Sequence, residues 1–135
     1  MLHDRTIPSN VALDRRPKRA GVLKACLGKP YRSGAVGPDA FDCFGLVTHL
    51  AGALHGITVP RDGAGILRAR RIFASITMPV DGAIVIMGAS ERHVGLWLAP
   101  ESVVIHAVER RGVVIDDLQT LLFSGFGRPR FFARR

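Results

Sequence analysis

The sequence predicts an α+β fold in which N-terminal helices pack on an antiparallel β-sheet of about five strands. Two observations support this. Apolar residues recur at helical spacing in the first 55 residues, whereas short β-branched or alternating runs separated by turn residues follow from residue 83 onward. Helices first and a strand meander second is an α+β arrangement, and 135 residues suffice for one domain with one core.

Two helices are predicted in the N-terminal half. The first covers Ala20 to Leu27, ends at Gly28 and Pro30, and has apolar residues that can share one face: Val22, Leu23, Cys26 and Leu27. The second covers Cys43 to Leu54, with Asp42 at the N-cap position and Gly56 at its end. Between them, residues 28–41 contain three glycines and two prolines and are predicted to form a loop. The sequence of residues 64–75 is compatible with a further short helix.

Five strands are predicted in the remaining sequence. They are Ala83–Met87, His93–Leu98, Val103–Ala107, Val113–Ile115 and, as a last strand, Arg130–Ala133. Residues 1–18 are polar, contain two prolines, and are predicted to be an irregular basic arm that precedes a single domain over residues 19–135.

The net charge of +8 predicts an acidic partner or a solvated basic surface. Basic residues fall in three groups: Arg15, Arg16, Lys18 and Arg19; Arg68, Arg70 and Arg71; and Arg128, Arg130, Arg134 and Arg135. Since no recognised groove-reading motif accompanies them, a nucleic-acid partner is not expected. The terminal arginines beside Phe131 and Phe132 resemble a docking tail. The longest apolar runs are shorter than the ~18 residues that a membrane span needs, and the N-terminus has no apolar signal region.

Cys43 has four candidate roles: core residue, half of a disulfide, metal ligand or nucleophile. Two cysteines are few for a disulfide scaffold, and without CxxC or HxxxH spacing neither a metal nor a cofactor is expected. Cys26 fits the core of the first helix. Cys43 begins the second helix, where the positive end of the helix dipole favours a thiolate and can lower the pKa of a cysteine below ~8.5. That position suits a nucleophile.

A hairpin over residues 93–107 supplies a candidate base. In a register with Leu98 opposite Glu101, His93 lies opposite His106, and the two side chains share one face of the sheet. One ring would accept the thiol proton and the other would orient it. The simpler alternative is that each is a surface or strand-end histidine with no role in chemistry.

A more specific signal comes from motifs in a fixed order. They are Leu27-Gly28-Lys29-Pro30-Tyr31, Asp42-Cys43-Phe44-Gly45-Leu46, Asp81-Gly82 before a strand, and His93-Val94-Gly95-Leu96-Trp97-Leu98. Together they resemble the NlpC/P60 family of papain-like cell-wall peptidases, over roughly residues 20–107. The resemblance implies a papain-like NlpC/P60 catalytic domain over residues 19–135.

The resemblance also implies residue roles. Cys43 would be the nucleophile, His93 the general base, His106 the orienting third residue, and Tyr31 a donor to the oxyanion. Substrate contacts are expected from Asp42, Phe44 and Trp97. Phe44 stands where the family usually has serine, so the substrate preference of this chain is expected to differ from that of its relatives.

The implied reaction is hydrolysis of an amide bond in peptidoglycan stem peptides, often between D-Glu, through its γ-carboxyl, and a diamino acid. Without an export signal, the enzyme is expected to reach the periplasm or cell wall on a phage-like tail, with tail-tip or baseplate hub proteins as partners. The alternatives are a secretion-system effector amidase and a non-catalytic tail component with a papain-like fold.

Overall fold

A computed structural model of the protein describes residues 17–59, 71–88 and 93–135. Most of the predicted basic arm lies outside these ranges, but its last two residues, Pro17 and Lys18, open the first helix. Most of the predicted short helix over residues 64–75 also lies outside them. Of its described residues, Arg71 and Ile72 are helical as expected, whereas Phe73 to Ser75 belong to a strand.

Three helices lie wholly within the described ranges: α1 Pro17–Cys26, α2 Cys43–His55 and α3 Leu118–Phe123. α1 and α2 confirm the helices expected from apolar spacing. α2 begins at the N-cap Asp42 and ends at Gly56, which adopts a left-handed conformation (φ 64°) suited to a helix C-terminus. α3 was not predicted. None of these helices is both long and apolar enough to cross a membrane.

Six antiparallel strands form one sheet in the order β1-β6-β2-β3-β4-β5, one strand more than expected. They are β1 Phe73–Ile76, β2 Ile84–Met87, β3 His93–Leu98, β4 Val103–Val108, β5 Gly112–Asp116 and β6 Arg130–Arg134. The predicted meander corresponds to β2 through β5. β6 returns to lie between β1 and β2 and pairs with both.

This position of β6 corrects the interpretation of the C-terminal segment as a docking tail. Phe132 is buried and its backbone pairs on both sides, while Phe131 packs edge-on against Trp97 with ring centroids 5.5 Å apart. The phenylalanines therefore build the sheet rather than extend from it. Only the arginine side chains of the segment remain exposed.

The sheet has an apolar cluster on each face because its central strands alternate. Val94, Leu96 and Ile105 point toward α1 and α2 and pack with helix residues such as Leu46 and Leu50. The opposite face is covered by α3, whose Leu121 packs with a second set of residues: Val85, Met87, Trp97 and Val104. The predicted division of the β3–β4 hairpin into two faces is confirmed.

Arg19 was grouped with the basic residues that were expected to face solvent or an acidic partner, but it is a buried residue of α1. Its guanidinium donates to the carboxylates of Asp81 at 2.9 and 3.0 Å and Glu101 at 2.8 and 3.3 Å. Asp81 precedes β2, and Glu101 lies in the turn between β3 and β4. Arg19 thus joins α1 to two turns of the sheet rather than offering charge to a partner.

Candidate active site

Cys43 is the first residue of α2, and the local sequence explains why the helix begins there. The Asp42 carboxylate accepts the backbone N–H of Gly45 at 2.6 Å, which satisfies a donor that has no partner within the helix. Cys43 is partly exposed, and neither it nor the buried Cys26 forms a disulfide. The predicted placement of the thiol at a helix N-terminus is confirmed.

The expectation that this position lowers the pKa of Cys43 is wrong. Burial raises the pKa of the thiol and the Asp42 carboxylate adds to this, while backbone N–H groups of Val94, Phe44 and Cys43 itself oppose them without outweighing them. The resting group is therefore a protonated thiol at neutral pH. It needs a base to become a nucleophile.

His93 and His106 lie together, with His93 Nε2 2.8 Å from His106 Nδ1. The expected register was wrong by two residues, because Leu98 pairs with Val103 rather than with Glu101. A shift of two keeps each side chain on its face, so the histidines still meet, now diagonally. In this register Gly95 lies beside His106: a Cβ added to Gly95 would be 3.1 Å from His106 Cβ.

β3 brings its backbone next to the thiol at the residue that follows His93. The backbone N–H of Val94, the next residue, is directed at the Cys43 sulfur. Burial, and next the charge of His106, lower the pKa of His93 to about 4. At neutral pH the His93 ring is therefore uncharged and able to accept a proton.

Two residues of the site were missed in the sequence. Asp116 accepts from His106 Nε2 at 2.7 Å and pairs with Arg111 at 3.0 and 3.2 Å. Alternation along β5 could have indicated Asp116. Val114 pairs with His106, and Asp116, two residues later on the same strand, therefore lies on the same face of the sheet as His106. Phe126 stacks on His93 with centroids 4.7 Å apart and meets His106 edge-on at 5.5 Å. It lies in the loop after α3, where no periodic pattern could place it.

The 28–42 loop brings Tyr31 toward the cysteine. The backbone of Tyr31 bridges to Phe41, two residues before Cys43, and Tyr31 packs against the core cluster beneath α2. The other end of the loop is held by β5, where the Val113 N–H donates to the Lys29 carbonyl at 2.9 Å. One loop thus connects the helix N-terminus with the strand that carries Asp116.

The three residues expected to contact substrate lie in three different environments. Asp42 has one carboxylate oxygen on the Gly45 N–H and the other on the Gly34 N–H at 2.8 Å. Phe44 is partly buried against the core. Trp97 is only 7% exposed and packs with Phe131 on the α3 side of the sheet.

The chain is similar in sequence to a known family and to proteins named as probable endopeptidases. The profile of the NlpC/P60 family matches residues 28–126. The "Probable endopeptidase p60" of Listeria seeligeri is 31% identical over 103 residues, and that of Listeria innocua is 32% identical over 107 residues. Each match covers 76% of this chain, and the chain spans only 18% and 22% of those two relatives.

Solved structures share its fold. An NlpC/P60 family protein from Bacillus cereus has a TM-score of 0.67 at 23% identity, covering 93% of this chain and 41% of that one. The NlpC/p60 domain of the peptidoglycan hydrolase SagA has a TM-score of 0.61 at 22% identity, covering 86% and 94%. NlpC2 from Trichomonas vaginalis has a TM-score of 0.62 at 25% identity, covering 85% and 44%.

Proposed function

The chain belongs to the NlpC/P60 family, and on that basis we propose that it is a cysteine endopeptidase that hydrolyses amide bonds in the stem peptides of peptidoglycan. The observation that carries the proposal is the contact between His93 and His106, together with the backbone N–H of Val94, the residue after His93, which is directed at the half-buried thiol of Cys43 at a helix N-terminus. The p60 relatives, named as probable endopeptidases, support the reaction class.

In this proposal the thiol is activated only when substrate is bound. The proton of Cys43 moves to the uncharged ring of His93, and the thiolate attacks the amide carbonyl. The negative oxygen that forms lies at the N-terminus of α2, where backbone N–H groups point outward, and Tyr31 is the proposed side-chain donor. His93 then protonates the leaving amine, and water hydrolyses the thioester.

The bond between the γ-carboxyl of D-Glu and a diamino acid is the proposed cleavage site. Asp42, Phe44 and Trp97 remain the proposed substrate contacts, and their positions make Asp42 and Phe44 the better candidates because both flank Cys43. Trp97 is almost fully buried, so it would contribute to substrate binding mainly by supporting the residues above it. Phe44 offers an apolar ring where the family resemblance leads one to expect a hydroxyl, which would favour a less polar substrate group.

Replacing Cys43 with alanine tests the proposal directly. The wild-type chain should release soluble peptide fragments from purified peptidoglycan, and Cys43→Ala should release none above background, since the bond-forming sulfur is gone. Fragments are identified by chromatography and mass spectrometry.

Cys26→Ala provides the matched control, because burial raises the pKa of Cys26 to about 11 and keeps that thiol inert. It should retain activity. If wild-type protein with native secondary structure releases no fragments, the non-catalytic alternative replaces the enzyme proposal.

Association with a phage-like tail is a narrower hypothesis about delivery. The p60 relatives are named as endopeptidases, and their names mention no tail. Its remaining support is the exposed arginine group at residues 128–135, which would suit an acidic face of a tail-tip or baseplate hub protein. The same charge would serve a secretion-system effector equally well.

A further inference from the structure

We propose that Asp116 is a positioning residue of this site, which fixes the protons on His106 and His93 so that His93 Nδ1 is left free to accept the proton of Cys43. The proposal rests on the proposed function for its catalytic meaning. The arrangement itself is a property of the folded chain. Neither the motifs nor the family resemblance included Asp116.

The contacts of Asp116 favour a role beyond packing. The residue is 3% exposed and its partner His106 is fully buried, so their 2.7 Å hydrogen bond is shielded from water. Arg111, which is partly exposed, contacts both carboxylate oxygens from the turn before β5. Burial raises the pKa of Asp116, but the hydrogen bonds and charges of His106 and Arg111 outweigh it and hold that pKa below its usual value. Asp116 is therefore ionised at neutral pH.

An ionised carboxylate dictates the tautomers of both rings. Because it can only accept, His106 must carry a proton on Nε2. In the proposed arrangement this is the single ring proton of His106, so its Nδ1 is bare. That atom can only accept, so His93 must donate from Nε2 across the 2.8 Å contact. Neutral His93 is left with an unprotonated Nδ1, the one ring nitrogen not engaged by His106.

The proton balance of the activation step follows. The S–H bond of Cys43 breaks, its proton is bound by His93 Nδ1, and the sulfur keeps the electron pair. His93 becomes an imidazolium that still donates to His106 from Nε2. No proton reaches Asp116, whose negative charge stabilises the new positive charge through the intervening ring.

A purely structural role for Asp116 makes different predictions, and two controls separate them. Arg111→Gln removes the ion pair that braces the turn but leaves the Asp116–His106 bond. Asp117→Asn makes the same chemical change one residue later, at the N-cap of α3, where asparagine is as good a cap as aspartate.

Asp116→Asn is the informative variant. It keeps the shape of the side chain, but its NH₂ group can donate to His106 Nε2 and so favour the reversed tautomers. We expect kcat on peptidoglycan fragments to fall by about 10- to 1,000-fold with little change in KM, less than the ~10⁴-fold found where a carboxylate contacts the base itself. Asp117→Asn should match wild type, and Arg111→Gln should lose far less activity than Asp116→Asn.

Nitrogen NMR of ¹⁵N-histidine-labelled protein reads the tautomers without any substrate. In wild type, His93 and His106, assigned by single His→Gln substitutions, should both carry the proton on Nε2; in Asp116→Asn a population protonated on Nδ1 should appear. A wild-type His106 protonated on Nδ1 would overturn the proposal. Equal kcat losses in Asp116→Asn and Arg111→Gln, with unchanged tautomers, would also overturn the proposal. They would show that Asp116 acts only through the ion pair with Arg111 that holds the turn before β5. If wild type cleaves no peptidoglycan while the tautomers are as expected, the proposed function fails and the proton arrangement stands.

Discussion

Gly95 is the residue on which the approach of the two histidines depends. A methyl group at this position would lie 2.6 Å from Val104 Cγ1, 3.0 Å from the Ile105 carbonyl oxygen and 3.1 Å from His106 Cβ. Two of these three neighbours belong to the β4 backbone or its first side-chain atom, which cannot move without shifting the strand. The absent side chain therefore leaves the space in which His93 reaches across to His106.

Gly95→Ala should separate β3 from β4 locally and reduce both stability and activity. Overpacking of this kind typically costs about 1–3 kcal/mol, and the displaced His106 should lower kcat further. Thermal unfolding and fragment release measure the two effects.

Gly21→Ala is the matched control because, apart from its chain neighbours and the nearby backbone of α1 itself, no atom lies within 4 Å of the added methyl group. It should stabilise the protein by about 0.5–1 kcal/mol and leave activity unchanged. Equal melting temperatures for Gly95→Ala and wild type would contradict the packing argument.

For individual residues, the sequence predicted which side chains lie together but not their protonation or the atoms through which they contact each other. The shared face of His93 and His106 follows from the two-residue period of a strand and tolerates an even error in register. The raised pKa of Cys43 could not be predicted, because it depends on burial by residues remote in the sequence. The same holds for Asp116, whose role depends on which ring nitrogen faces it.

Among the elements, α1 is attached to the sheet by charge as well as by apolar packing. Arg19 lies between two carboxylates, and the side chain of Glu101 is fully buried. A buried charge that loses its partner is costly, because neither water nor another group replaces the interaction.

Arg19→Met should destabilise the protein by about 3 kcal/mol or more, since two carboxylates lose their shared partner while the apolar volume is largely kept. Urea unfolding gives the free energy. Lys18→Met removes a neighbouring but exposed charge from the same helix and should change it little. If the two variants unfold at the same urea concentration, the ion pairs do not hold α1.

Elements with a clear period were the predictable ones. α2 and the strands β2 through β6 were expected within a few residues, because their apolar residues repeat at 3.6 or 2 positions. β2 also has only four residues, but all four are large and apolar (IVIM), whereas β1 (FASI) mixes apolar residues with a small and a polar one. α3 has six residues, which is too short for a helical period to be distinguished from chance. The Asp117 N-cap was the only local signal for α3.

The whole molecule should become less stable as the pH falls from about 7 to 4. His93 has a pKa of about 4 in the folded chain against 6.5 normally, so between these values the unfolded chain binds a proton that the folded chain does not. The unfolded state is thereby favoured by up to about 3 kcal/mol at the lower limit. Asp116, whose pKa is lowered, adds stability that is lost only at still lower pH.

Denaturant unfolding at several pH values checks this expectation. His93→Gln removes the titrating ring, and its unfolding free energy should fall less steeply than that of wild type between pH 6.5 and 4. Parallel curves for the two proteins would show that another group causes the acid sensitivity.

The insertion of β6 between β1 and β2 has a consequence for how the protein is made. During synthesis β1 and β2 leave the ribosome well before β6, and neither can gain its shared neighbour until residue 134 has emerged. The edge of β2 that β6 will cover stays open until then, and open edges invite pairing with other chains. The nascent chain therefore depends on β6 both to complete the sheet and to cover an edge that could pair with another chain.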